Sequence, residues 1–204
     1  MLARPSLIVA LFFAALVALF AALPFLGGPY AVKFATRLMV LALFVVSLDL
    51  LIGVAGLVSF GHAAFFGVGA YAVYFVSPEY EPANLALALA AGIGLAAVAA
   101  LVVGSFAMLT RGFYFIMVTL AAGQMLYSLF HDTDIAKGSD GAYVNVKPNL
   151  TVAGRTLIDF DSSLQFYYFC MAALVVAYVV LFALARSPFG RALQGVRVNE
   201  TRMA

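Results

Sequence analysis

The chain has 204 residues, of which 66% are hydrophobic and 10% charged, against ~45–50% and ~25% in an ordinary soluble domain. With a mean hydropathy of +1.10 it cannot clothe a globule in polar groups, which excludes a soluble enzyme; disorder and fibrous repeats are excluded as well. A net charge of +2 offers no basic surface for nucleic acid, and the single cysteine, Cys170, rules out an internal disulfide. What remains is an all-α, polytopic membrane protein.

The spacing of charges parses the chain. Residues 5–32 contain no Asp, Glu, Lys or Arg. A helix needs ~20 apolar residues to cross ~30 Å of hydrocarbon, which places a first span at residues 7–26, stopped by Gly27, Gly28 and Pro29. A cleaved signal peptide has an apolar core of ~7–15 residues and a small-residue cleavage site. This run is longer and ends Leu23-Pro24-Phe25-Leu26, so a retained helix is favoured. Residues 38–78 carry one formal charge, Asp49. As continuous helix they would cover about two membrane thicknesses, so the segment must break, and Gly53, Gly56 and Gly61 are the places for it. Two spans are expected here, at residues 34–55 and 57–76, the second entered through a short irregular segment. Broken helices persist at membrane depth only where freed backbone groups are buried in protein or face water. The broken second–third helix junction is therefore the first functional candidate.

Further charge-free runs place spans at residues 84–109, 112–131 and 162–185, six in all. Between the last two lies a polar loop, residues 132–161, with the turn-forming run Gly138-Ser139-Asp140-Gly141. Six spans put both termini on one side. Arg4, Arg111 and the tail residues Arg186, Arg191, Arg197 and Arg202 mark that side as cytoplasmic. Glu79, Glu81 and the acidic loop face outward, while Lys33 and Arg37 fall on the wrong side for this count. A small residue at every fourth position (Ala88, Gly92, Ala96, Ala100, Gly104) predicts a close-packing face on the fourth span. Ala63, Gly67 and Ala70 suggest a similar face on the third.

Few polar groups lie at membrane depth. A carboxylate there must be paired, neutralised or wetted, so Asp49 either belongs to a pathway or hinge or hydrogen-bonds the loosened backbone near Gly53. His62 follows the glycine break beside Ser59 and Gly61; it lines a path or, slightly favoured, starts the third helix at a hinge. Gln124 reads as an interhelical hydrogen-bond donor. Ser59 and His62 have no nucleophile-elbow context or third orienting group. The histidines and the cysteine are scattered singly, without metal-ligand spacing. Gly67-Val68-Gly69 has no strand or basic partner to make a phosphate loop, and no Walker motif is present. No cofactor is expected.

Three stretches resemble the permease subunits of bacterial branched-chain amino acid ABC importers, the LivM/LivH group. Residues 48–71 carry Gly53, Gly56, Ser59, Gly61-His62-Ala63, Phe65, Gly67 and Gly69-Ala70-Tyr71, which fit the group's long pattern Gly-x-x-Gly-x-x-Ser-x-Gly-His-Ala-x-Phe-x-Gly-x-Gly-Ala-Tyr. The second stretch is Thr110-Arg111-Gly112-Phe113-Tyr114-Phe115-Ile116-Met117-Val118-Thr119-Leu120, followed by the Gly-Ser-Asp-Gly run in the loop. The third is Ser187-Pro188-Phe189-Gly190-Arg191-Ala192-Leu193-Gln194-Gly195-Val196-Arg197 with Asn199-Glu200. The likeness covers about residues 34–204, and the motif order points to the LivM branch.

The resemblance implies one transmembrane permease domain over residues 1–204 in the bacterial inner membrane. Residues 132–161 would be an external loop and residues 186–204 a cytoplasmic coupling segment. Its partners would be lipid, a second permease subunit, cytoplasmic ATPase subunits and a periplasmic or extracellular substrate-binding protein, with no nucleic acid. Asp49, Gly53, Gly56, Ser59, Gly61 and His62 would form the pathway or hinge. Ser187, Pro188, Phe189, Gly190, Arg191, Arg197 and Glu200 would couple to the ATPase. Arg191 and Arg197 would meet its acidic groups or hold the segment at the membrane surface. Leucine, isoleucine and valine are the default cargo, with urea, short amides and aromatic acids carried by related permeases. Many relatives have another residue near Asp49, so its role does not carry over. Relatives continue beyond the coupling segment with further helices, so a fragment or truncated frame is expected. The alternative class is an ATP-independent secondary transporter or channel using Asp49 and His62.

Overall fold

The computed structural model describes residues 7–78, 80–152, 155–158, 160 and 162–198. Among them are seven α-helices: α1 (Leu7–Leu26), α2 (Pro29–Asp49), α3 (His62–Val76), α4 (Leu85–Ala107), α5 (Phe113–His131), α6 (Ser163–Arg186) and α7 (Pro188–Val198). α2 begins with Gly28 extended at its N-cap and a proline in the first turn, where the missing N–H costs nothing. It runs on into a π-helical turn, Leu50–Ala55. Arg4, Glu79, Asp161, Glu200 and Arg202 lie outside the described residues.

Among the described residues, four stretches are long and apolar enough to cross a membrane: Pro29–Ala55, Leu85–Ala107, Phe113–His131 and Ser163–Arg186. The apolar stretch Leu11–Leu26 belongs to α1, whose 20 residues coincide with the expected first span, and α3, His62–Val76, is shorter. Of the six expected full spans, four are long and apolar enough among the described residues, and the third is corrected to a shorter helix. For α3 the cause is local. The irregular stretch extends to Gly61, so α3 starts at His62 instead of residue 57, and its 15 residues rise only about 22 Å.

The described residues fall into two compact units, one comprising residues up to 55 and from 161 onward, the other residues 56–160. In the first, α2 packs on α6 around Val32, Ala35, Met39, Tyr167 and Cys170. Tyr167, 0% exposed, is the largest fully buried side chain. Its burial is tied to Pro24 inside α1. Proline has no N–H, so the carbonyl of Phe20, four residues earlier, loses its helical partner. The Tyr167 hydroxyl donates to that carbonyl at 2.6 Å, and the Tyr168 hydroxyl donates to the next one, Ala21, at 3.3 Å.

In the second unit α3 packs on α4 through glycine. A Cβ placed on Gly92 would lie 3.4 Å from the Gly69 carbonyl oxygen and 3.6 Å from a Val73 methyl. The expected α4 stripe packs at its start, where Ala88 is buried, and opens at Ala100. The α3 face is corrected. Val68 and Ala72 are buried and Gly69 makes the glycine contact, whereas Ala63 and Ala70 are exposed. The loop after α5 holds the expected turn, with Gly138 at φ 59° and Gly141 at φ 75°. It also holds an unforeseen antiparallel hairpin, β1 (Leu150–Val152) with β2 (Arg155–Ile158). The loop returns to the start of α4: Asn84 accepts from the Ala86 N–H at 3.0 Å, and the Leu85 N–H donates to the Asn149 carbonyl at 3.0 Å.

Tyr167→Phe is expected to lower stability in detergent by about 1–3 kcal/mol, because it strands a buried carbonyl. The loss should shrink in a Pro24→Ala background, where a helical N–H serves Phe20 again. Equal losses of melting temperature in both backgrounds would refute the pairing.

Candidate functional site

The break before α3 is built from glycine geometry. Gly56 sits at φ 74°, a left-handed conformation that side chains disfavour. The chain then crosses α5 almost backbone to backbone. A Cβ on Gly61 would collide with the Thr119 carbonyl, whose carbon would be 3.1 Å away. A Cβ on Gly123, one turn along α5, would be 3.2 Å from the Gly61 Cα. Outside a helix the Phe60 N–H needs an acceptor, and it donates to Thr119 Oγ1 at 3.3 Å. The Thr119 hydroxyl in turn donates to the Ile116 carbonyl at 3.0 Å. Thr119 is 4% and Ser59 7% exposed, so this polar crossing is closed to solvent. His62 is the first residue of α3, half-buried, with its ring edge-on to Phe65.

Beside the crossing, α3 and α5 line a cavity of about 330 Å³. Ala63, Ala64 and Gly67 form its α3 wall, with Gly123, Gln124 and Tyr127 opposite. Tyr71 stacks on Phe130 at 4.3 Å between centroids, and Tyr127 on His131 at 5.0 Å. The lining is mostly apolar, and its polar side chains are Gln124, His131 and the two tyrosines, Tyr71 and Tyr127. His131 Nδ1 is 3.0 Å from Asp132 Oδ1. Hydrogen bonds from Ser128 and then His131 hold the Asp132 carboxyl below the usual carboxylate range.

The second group of candidate residues builds a corner between α6 and α7. The Ser187 hydroxyl accepts from the Gly190 N–H at 3.3 Å and donates to the Leu184 carbonyl at 2.7 Å. Pro188 takes the first helical position, where proline is pre-organised. Gly190 presses so closely on α6 that a Cβ would be 2.6 Å from the Ala185 carbonyl carbon. Phe189 and Arg191 are exposed. Arg197, in the last turn of α7, donates through Nη1 to the Gly53 carbonyl in the π-turn. Asp49 closes α2 and is exposed; its Oδ1 would be 3.2 Å from a Cβ on Gly53.

The expected pathway residues therefore fall in two places. Gly56, Ser59, Gly61 and His62 belong to the break and its crossing. Asp49 and Gly53 lie at the end of α2 with Arg197. Gly53 is not itself a break but part of the π-turn.

The profile of a protein family described as "Branched-chain amino acid transport system / permease component" matches residues 30–204. The chain belongs to this permease family. It is similar to the high-affinity branched-chain amino acid transport system permease protein LivM of Escherichia coli (strain K12), at 28% identity over 93% of this chain and 49% of that protein. The protein of the same name in Salmonella typhimurium (strain LT2) is 27% identical over the same shares. The chain spans about half the length of these curated relatives. No solved structure matches it.

The π-turn, the crossing, the cavity and the α6–α7 corner all lie within the stretch that matches the permease family, whereas α1 precedes it. The sequence reading missed Thr119 and Gly123 as site residues. Their signal was a small pair four apart on one helix, the spacing that permits close backbone approach.

Gly61→Ala is expected to destabilise the folded protein by about 1–3 kcal/mol through overpacking. Gly67→Ala should be nearly silent, since its Cβ enters open space. Thermal melts of both variants in detergent check this; equal shifts would contradict the close crossing.

Proposed function

We propose that this chain is part of a membrane-spanning permease subunit of a bacterial ABC importer for branched-chain or related amino acids. The observation that carries the reading is the cavity between α3 and α5, set against the broken helix in a chain of this family. Its alanine, glycine and aromatic walls suit an aliphatic side chain. The Gln124 amide, His131 and the non-helical backbone of residues 56–61 offer polar partners for the charged ends of an amino acid, as unwound segments do in other transporters.

Residues 1–204 act as one permease portion in the inner membrane, packed with lipid and a second permease subunit. The arginine-bearing end, with Arg186 and Arg191, faces the cytoplasm, and the N-terminus lies on the same side. The loop of residues 132–161 faces outward, where a binding protein delivers cargo. Separate ATPase subunits hydrolyse ATP, and the segment from Ser187 to Glu200 transmits their motion, with Phe189 and Arg191 presented to them. Cargo shifts the access equilibrium only through its different affinity for the two states.

Leucine uptake into proteoliposomes by the complete transporter should require ATP. Gly67→Leu, which fills the cavity, should cut uptake about tenfold or more, equivalent to about 1.4 kcal/mol of cargo binding, while the ATPase subunits still co-purify. In intact cells an impermeant thiol reagent should reach Arg191→Cys only after permeabilisation. Uptake driven by a pH gradient without ATP, and abolished by Asp49→Asn, would replace this reading with a secondary carrier.

A further inference from the structure

α7 packs on the π-turn Leu50–Ala55, and its Arg197 hydrogen-bonds the turn's backbone. π-helical turns are rare and recur at functional sites, and they are alternative registers of an α-helix. The last carbonyls of a helix have no partner within it. Gly53 is in that last turn, and the Arg197 guanidinium donates to its carbonyl. A cation there also meets the negative end of the aligned peptide dipoles. A Cβ on residue 53 would lie 3.2 Å from Asp49 Oδ1, so glycine here leaves room for that carboxylate.

The donor is itself firmly placed. At its start α7 is fixed to α6 by the Ser187 cap and by the close seat of Gly190 on the Ala185 carbonyl. At its end it is fixed to the π-turn by Arg197. A displacement of α7 therefore reaches the turn through their packing and through this charge-assisted bond.

We infer that Arg197 is a positioning residue, which holds the Gly53 carbonyl so that the π-turn follows α7 and changes register when α7 moves. The inference rests on the reading of α7 as the ATPase-facing segment. It differs from that reading in assigning Arg197 to the π-turn carbonyl rather than to the ATPase. The bistable element is the turn itself, as switching by discrete repacking requires.

The test uses the complete transporter in proteoliposomes, with Arg197→Ala, Arg197→Lys and Arg197→Cys. Arg197→Ala should keep its ATPase subunits and their ATP hydrolysis, yet move about tenfold less leucine per ATP, the scale of losing a hydrogen bond to a charged group. Arg197→Lys should restore much of the coupling. Arg197→Cys treated with aminoethyl methanethiosulfonate, which adds a cation, should regain coupling, and the neutral methyl reagent should not. This comparison uses one folded protein throughout. Unchanged leucine per ATP in Arg197→Ala overturns the inference. So does loss of the ATPase subunits from Arg197→Ala, which would make Arg197 a docking residue. If the unsubstituted transporter itself binds no ATPase, the importer reading fails and the inference falls with it.

Discussion

Hydrocarbon offers backbone N–H and C=O groups no partners, and that constraint organises this chain. Three interruptions of regular α-helix each draw one side-chain group from elsewhere in the fold. Pro24 removes a donor inside α1, and the Tyr167 hydroxyl answers at the Phe20 carbonyl. The stretch of residues 56–61 leaves the Phe60 N–H outside a helix, and the Thr119 hydroxyl accepts it. The π-turn ends with the Gly53 carbonyl exposed, and Arg197 caps it. In each case the partner lies on a different helix, so satisfying the backbone also fixes helix against helix.

Glycine does the complementary work. Where a polar group must be reached, the backbones have to come close, and side chains would keep them apart. Gly61 with Gly123 permits the crossing on α5, Gly69 with Gly92 the packing of α3 on α4, and Gly190 the tight turn into α7. The space left beside the crossing is the cavity between α3 and α5. A bundle of this kind gets its specificity from a few hydrogen bonds and close approaches more than from apolar burial, since lipid tails are as apolar as the side chains they would replace.

Much of this was legible in the sequence. Charge-free runs bounded by Gly, Pro and charged residues placed α1, α4, α5 and α6 within one or two residues of their ends. The glycine-rich motif located the break, because positive φ and close approach need glycine. Three features were not legible. The π-turn has no compositional signature, because it differs from an α-helix only in which carbonyl each N–H reaches. The face of α3 that packs on α4 was hidden, because small residues occur all round this helix and the packing itself selects Val68 and Ala72 while Ala63 lines the cavity. The target of Arg197 was hidden because an arginine in a basic tail looks the same whether it faces a partner or caps a carbonyl. Gln124, read as an interhelical donor, lines the cavity.

The central claim is that the broken segment is held by a side-chain acceptor from α5. Amide hydrogen exchange at Phe60, measured in lipid nanodiscs for the unsubstituted protein and for Thr119→Val, tests it most directly. Slow exchange that accelerates about tenfold or more on losing the hydroxyl, with α4 amides unchanged, is the predicted result. Equal exchange at Phe60 in both proteins would contradict the account.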